Sequence, residues 1–192
     1  MTKPLLPEPD IEPLSREQIL VAMGITAIVL LIISRLWLMF TPYRLLPLNF
    51  SVQTVLIGIG LGLGITGLSS IVYSIWPAYR NSADYYLKLV LQPLHWADLI
   101  WLGLLPGLSE ELLFRGVLLP TIGLTLFGVV ISGLCFGVLH FSGSQQWPYV
   151  IWATVIGIVL GYGALSTGSL MVPILAHVTT NFVSSCIWKA SS

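Results

Sequence analysis

The chain has 192 residues, 56% of them hydrophobic and 8% charged, with a mean hydropathy of +0.91. A soluble domain carries about 25% charged residues and offers no interior large enough to hide so much apolar surface, so the sequence reads as an all-α, polytopic transmembrane helical bundle. Eight basic residues balance eight acidic ones without a basic run interleaved with aromatics, which argues against nucleic acid as a partner.

Residues 1–17 hold four prolines and four acids beside Lys3 and Arg16. No apolar run follows a basic start, so this is a polar cytosolic tail and not a secretory signal. Ser15 and Gln18 have the form of a capping box, and the apolar run behind them extends to Phe40 before Thr41-Pro42 stops it. This is the first expected span, with Arg35 one turn inside its far end and able to snorkel to the interface.

A second span is expected over residues 51–73. Its Gly58, Gly60, Gly62, Gly64 and Gly67 leave one face nearly bare backbone, suited to close helix packing. Residues 76–94 form the longest polar interruption, with Arg80, Asp84 and Lys88 among Tyr79, Tyr85 and Tyr86. The pattern implies a loop and a short amphipathic helix at the membrane interface, its aromatics at headgroup level.

Beyond His95, itself read as structural, two helical hairpins are expected. Residues 96–123 and 126–141 join through a turn near Leu124-Thr125, and residues 148–165 and 170–188 join through Ser166-Thr167-Gly168-Ser169. Cys135 and Cys186 lie in apolar stretches without metal or disulfide spacing and read as small core residues. The total is about six spans, divided into a tail (1–17), two accessory helices with an interfacial segment (18–94) and a four-helix core (95–192). Lys3, Arg16, Arg80, Lys88 and Lys189 fall on the side of the termini, against Arg35 and Arg44 on the other. The positive-inside rule therefore places both termini in the cytoplasm, in a prokaryotic cell membrane or an internal membrane.

The core carries ionisable groups at depths where they are expensive and mark function by default. Glu110 is fifteen residues before position 125 and His140 fifteen after it. In an antiparallel hairpin both then stand roughly 22 Å from the turn, at about 1.5 Å per residue, and can meet. Glu111 and Arg115 are four apart with the acid first, the favoured order for a helical ion pair, and read as scaffold. Glu110 projects about 100° away from Glu111, so its partner must come from across the bundle. A carboxylate in a low-dielectric cavity beside an imidazole can take a proton from a shared water. His177 and Asn181, again four apart on one helix face, can aim two hydrogen-bond donors at a developing oxyanion. Depth is the difficulty, because His177 is only about eight residues, roughly 12 Å, from its own turn. The levels agree if the second hairpin sits lower, or if residues 168–173 re-enter the bundle before a helix begins at Pro173.

Glu110-Glu111-Leu112-Leu113-Phe114-Arg115 resembles the EExxxR motif of the CAAX-protease and bacteriocin-processing (CPBP/Abi) family of intramembrane glutamate proteases. Phe136-Gly137-Val138-Leu139-His140 is similar to its FxxxH motif and His177-Val178-Thr179-Thr180-Asn181 to its HxxxN motif, in the family's order over about residues 105–182. The resemblance implies an intramembrane endopeptidase like the CAAX prenyl proteases. In it Glu110 and His140 activate water, His177 and Asn181 form the oxyanion hole, and Glu111, Arg115 and Phe136 support the site. Its partners would be membrane lipid and a peptide or protein substrate. No cofactor is favoured. If a metal were used, zinc on Glu110, His140 and His177 is the arrangement these residues offer, although no HExxH motif is present. The alternative is a non-proteolytic scaffold or assembly factor of the same fold, docking to a larger membrane protein complex through the small-residue faces at 58–67 and 157–161.

Overall fold

The computed structural model describes residues 14–191. Most of the expected polar tail, residues 1–13, lies outside them. Among the described residues the chain is helical and without strands. Helix α1 spans Arg16–Phe40, opened by the Ser15/Gln18 capping box and closed at Thr41, and α2 spans Val52–Ile75. After a break at Trp76, α3 runs over Pro77–Leu91, so the polar interruption holds the expected helix, longer than expected and with little loop; Pro77 supplies a preset first helical turn. Helix α4, Leu99–Glu111, continues without a break into a π-helical turn, Leu112–Leu118, and then into α5, Leu119–Ile122. Gly123, at φ 127°, turns the chain, and α6 (Leu126–Leu139) starts on the Thr125 cap. Helix α7 covers Trp147–Thr167 and ends on left-handed Gly168, where a glycine carries no steric penalty. Helix α8, Met171–Ser191, begins one residue after the expected start of its span at Leu170 and two before Pro173.

Among the described residues four helices are long and apolar enough to cross a membrane: α1, α2, α7 with its preceding 3-10 turn, and α8. The shorter apolar α6 and the composite α4–α5 rod occupy the positions of the other two expected spans. The outward face of α1 presents Val21, Ile25, Ile28, Ile32 and Leu36 to the surroundings, the reverse of a soluble helix and the pattern lipid demands. This is an integral membrane protein.

The glycine-rich face of α2 divides in two. A Cβ on Gly58 or Gly62 would lie 2.7 Å from Leu175 Cβ or 2.6 Å from the Ala176 carbonyl oxygen of α8, whereas Gly60, Gly64 and Gly67 meet nothing within 4 Å. Helices α2 and α8 thus pack backbone to backbone along one glycine row, and the other row stays open. Gly62→Ala is expected to lower stability by about 1–3 kcal/mol, the usual range for overpacking, and Gly60→Ala to leave it unchanged, as read by thermal unfolding in detergent. Gly157 and Gly161 are already occupied, with Cβ positions 3.0 Å from the Gly133 carbonyl and 3.2 Å from Val129 on α6. The docking face expected there is an internal helix contact. Cys135 is exposed and not a core residue, because the buried stripe of α6 runs through Gly128, Val129, Ser132, Gly133, Phe136 and Gly137.

The connection over residues 42–51 sets the level of the second hairpin. Pro120 has no N–H to return to the Gly116 carbonyl, and that carbonyl accepts from Leu46 N at 3.0 Å. One residue further, Pro47 O accepts from Leu170 N at 2.8 Å, and Asn49 O accepts from Ser169 Oγ at 3.2 Å. The turn between α7 and α8 is therefore tied under this connection, with Ser169 and Leu170 fully buried. At the opposite end Arg16 clamps Asp98 with two bonds of 2.7 Å, joining the start of α1 to the start of α4. That guanidinium holds the Asp98 carboxyl well below the usual carboxylate range, at about 2.

Candidate active site

The junction of α4 with the π-helical turn carries the charged centre, and π turns recur where function needs a local change of register. Glu111 and Arg115 are both fully buried and 2.7 Å apart. Arg115 also donates to the Gly157 carbonyl at 2.6 Å, and its Cζ lies 4.5 Å from the centre of the Phe136 ring, a cation–π distance. A buried guanidinium is tolerable because it is paired and hydrogen-bonded. The partners come from its own rod, from α7 and from α6.

Glu111 has a second partner. Its Oε1 lies 2.8 Å from His177 Nδ1, which ties α8 to α4 at the level of the ion pair. An ionised carboxylate only accepts, so Nδ1 carries the proton of this bond and Nε2 is the ring nitrogen left for other partners. His177 is thus at the depth that counting from its turn put in question, because the 168–170 turn is held beneath the 42–51 connection.

Glu110 stands on the neighbouring face, and its Oε2 is 4.0 Å from His140 Nε2. His140 caps α6, and its Nδ1 lies 2.9 Å from the Phe136 carbonyl. A carbonyl only accepts, so Nδ1–H is the donor and a neutral ring offers Nε2 as an acceptor toward Glu110. Both groups facing the 4.0 Å gap are then acceptors. One water donating a proton to each, through bonds of about 2.7–2.8 Å, spans such a gap. Glu110 Oε2 is buried with no hydrogen-bond partner among the described residues, the condition that makes a buried polar atom hold water.

Phe136 fills the centre of the site. Its ring is 4.8 Å from the His140 ring, 5.7 Å from the His177 ring and 5.4 Å, edge to face, from Phe114. His140, His177 and Asn181 line one cavity of about 450 Å³ together with Phe136, Thr180 and Tyr149, and the cavity continues between α2, α3 and α8. Glu110 reaches its edge through His140. The structure thus brings Glu110, Glu111, Arg115, Phe136, His140, His177 and Asn181 into one place.

Among the described residues no three His, Cys, Asp or Glu side chains gather as a metal-holding group. His177 turns Nδ1 to Glu111 and His140 turns Nδ1 to a main-chain carbonyl, which leaves the Nε2 of each ring as the nitrogen open to another partner. Sequence reasoning also missed three contributions: the Gly157 carbonyl on Arg115, the bond of Glu111 to His177, and α3. The small-residue pair Gly157 and Gly161 was a signal for the first, since a close helix contact exposes carbonyls to a neighbouring donor.

An all-helical integral membrane protein with a buried carboxylate, guanidinium and imidazole centre opening into a cavity is the class that fold and site define. Residues 92–183, the segment that carries the three motifs, match the Rce1-like family, type II CAAX prenyl endopeptidases. It resembles two proteins of Bacillus subtilis (strain 168). The uncharacterized protein YpbD is 40% identical over 88 residues, covering 46% of this chain and 44% of that protein. The uncharacterized protein YyaK is 40% identical over 81 residues, covering 38% of this chain and 27% of that protein. The likeness therefore spans less than half the length of either relative. No solved structure matches.

Proposed function

We propose that the protein is an intramembrane endopeptidase that hydrolyses a peptide bond with water activated by Glu110 and His140. The observation that carries this reading is the partnerless Glu110 oxygen facing His140 Nε2 across 4.0 Å, beside a cavity walled by His177 and Asn181. Water in that gap gives its proton to Glu110 while its oxygen adds to the peptide carbonyl carbon. The carbonyl oxygen becomes an oxyanion, and the Asn181 amide donates to it. His177, held by its Nδ1 bond to Glu111, adds a second donor through Nε2–H in its imidazolium form. Collapse of the tetrahedral species breaks the C–N bond, and the proton held by Glu110 passes to the leaving amine, giving a new carboxyl and a new amino terminus.

Six crossings with both termini cytoplasmic complete this reading. They place the Glu110–His140 end of the bundle on the cytoplasmic side, where a peptide or protein substrate enters from lipid or from water. A non-proteolytic assembly role loses one of its two expected docking faces to the α6–α7 contact, and peptidase is the stronger reading.

The test is comparison of new protein amino termini in cell membranes with and without the protein, repeated with Asn181→Ala. Cleavages that need the protein and fall about 100-fold in rate with Asn181→Ala, the scale of one oxyanion donor, support the reading. Membranes with the same termini in both cases overturn it.

A further inference from the structure

The His140 end of α6 is held by α3, which lies wholly before the segment that matches the family. His140 is the residue where α6 stops, with φ −88° and ψ 6°, so its carbonyl has passed beyond the helix and has no N–H of its own helix to accept from. The Tyr86 hydroxyl fills that place. It donates to the His140 carbonyl at 2.5 Å and lies 2.6 Å from Ser142 Oγ. Its ring stacks on Tyr149 at 4.4 Å, and the Tyr149 ring is 6.0 Å from that of His140. One turn earlier Ser82 donates to Gln146 Oε1 at 2.5 Å, so α3 grips both ends of the connection from His140 to Gln146 between α6 and α7.

We infer that Tyr86 is a positioning residue for His140: its hydroxyl fixes the main chain of the histidine while Phe136 O fixes the ring, and together they set the gap to Glu110. This rests on the reading of Glu110 and His140 as the water-activating pair. Tyr86 lines the same cavity, but its hydroxyl is spent on His140 O and Ser142 Oγ, so it acts through His140. Helix α3 thereby becomes part of the site and more than an interfacial helix. Without the hydroxyl, the His140 carbonyl must turn to solvent, and the last residue of α6 is free to unwind.

The experiment is nuclear magnetic resonance of the whole protein in lipid nanodiscs with labelled histidine. The chain has three histidines, His95, His140 and His177, so the ring signals are assigned by replacing each in turn. Tyr86→Phe keeps the stacking on Tyr149 and removes the hydroxyl. It is expected to shift and broaden the His140 ring nitrogen signals and leave those of His95 and His177 in place; unchanged His140 signals overturn the inference. If Tyr86→Phe does not fold, wild-type protein carrying labelled Tyr and His decides. A carbon–carbon correlation between Tyr86 Cζ and the His140 carbonyl is expected, and its absence overturns the inference. With a cleaved substrate in hand, Tyr86→Phe should lower kcat about 10- to 100-fold, the scale on which small misplacements of a catalytic group act, with KM held. The magnetic resonance readout needs no turnover, so an inactive wild-type protein fails the peptidase reading alone.

Discussion

Glu110→Gln is expected to leave a folded protein with the wild-type melting temperature and almost no peptide-bond hydrolysis. The amide has the size of the carboxylate and can occupy the same place opposite His140 Nε2, 4.0 Å away. It cannot accept the proton that a water must lose as it attacks. General base action contributes about 10²- to 10⁴-fold, and its loss also deprives the leaving amine of its proton donor, so the upper end of that range is expected. The folded state should not suffer, since Glu110 Oε2 has no hydrogen-bond partner among the described residues for the substitution to break. His140→Ala should fall by a similar factor. The measurement is the cleavage rate of an identified substrate by variant and wild type in the same lipid, with melting followed in parallel. Wild-type turnover in Glu110→Gln would remove Glu110 from the chemistry.

Arg115→Ala is expected to act in the opposite way, through the fold. Arg115 and Glu111 are fully buried and 2.7 Å apart, and the guanidinium also satisfies the Gly157 carbonyl. Its removal leaves a buried carboxylate held by His177 alone, together with a void against Phe136. Breaking a buried pair by removing one partner costs about 3–5 kcal/mol. A large fall in melting temperature, or failure to accumulate in the membrane, is the expected result. Glu111→Gln with Arg115 intact should lie between the two, because it loses the charge and keeps a side chain that can bond to both neighbours. A normal melting curve for Arg115→Ala would show that Glu111 draws its stabilisation from elsewhere.

The two variants separate chemistry at Glu110 from scaffold at Glu111 and Arg115, although the two glutamates are adjacent in the chain. Glu110 and Glu111 differ in consequence because a helix turns them about 100° apart. One faces a gap that holds no fixed positive charge, and the other faces a guanidinium and an imidazole. The same turn explains why the pair was legible from spacing, with Arg115 four residues on and nothing four residues from Glu110.

Local rules were sufficient for much of the chain. The Ser15 capping box, the stop at Thr41, the Gly123 turn and the Gly168 cap each rest on a few neighbouring residues, and the level of Glu110 with His140 follows from counting along one hairpin. Helix α3 was legible only in part. Its pattern is polar with aromatics, which reads as an interfacial loop and short helix, but Tyr79 and Ala83 are buried because α7 supplies Tyr149 and Trp152 to pack against. Neither neighbour is visible from the 76–94 sequence.

What the sequence determined by itself is the membrane class, the helices with their caps, and the set of ionisable residues that one interior must shelter, since lipid tolerates neither unpaired backbone nor unpaired charge. What the tertiary structure decided is which atoms meet. The depth of His177 depends on Pro120 freeing the Gly116 carbonyl for Leu46, and on Pro47 and Asn49 then holding the 168–170 turn down. The partners of Arg115 depend on Gly157 letting α6 and α7 approach, and the place of His140 depends on Tyr86. These contacts join residues from about 40 to about 125 positions apart, where spacing carries no signal and only the packing of whole helices brings the groups together.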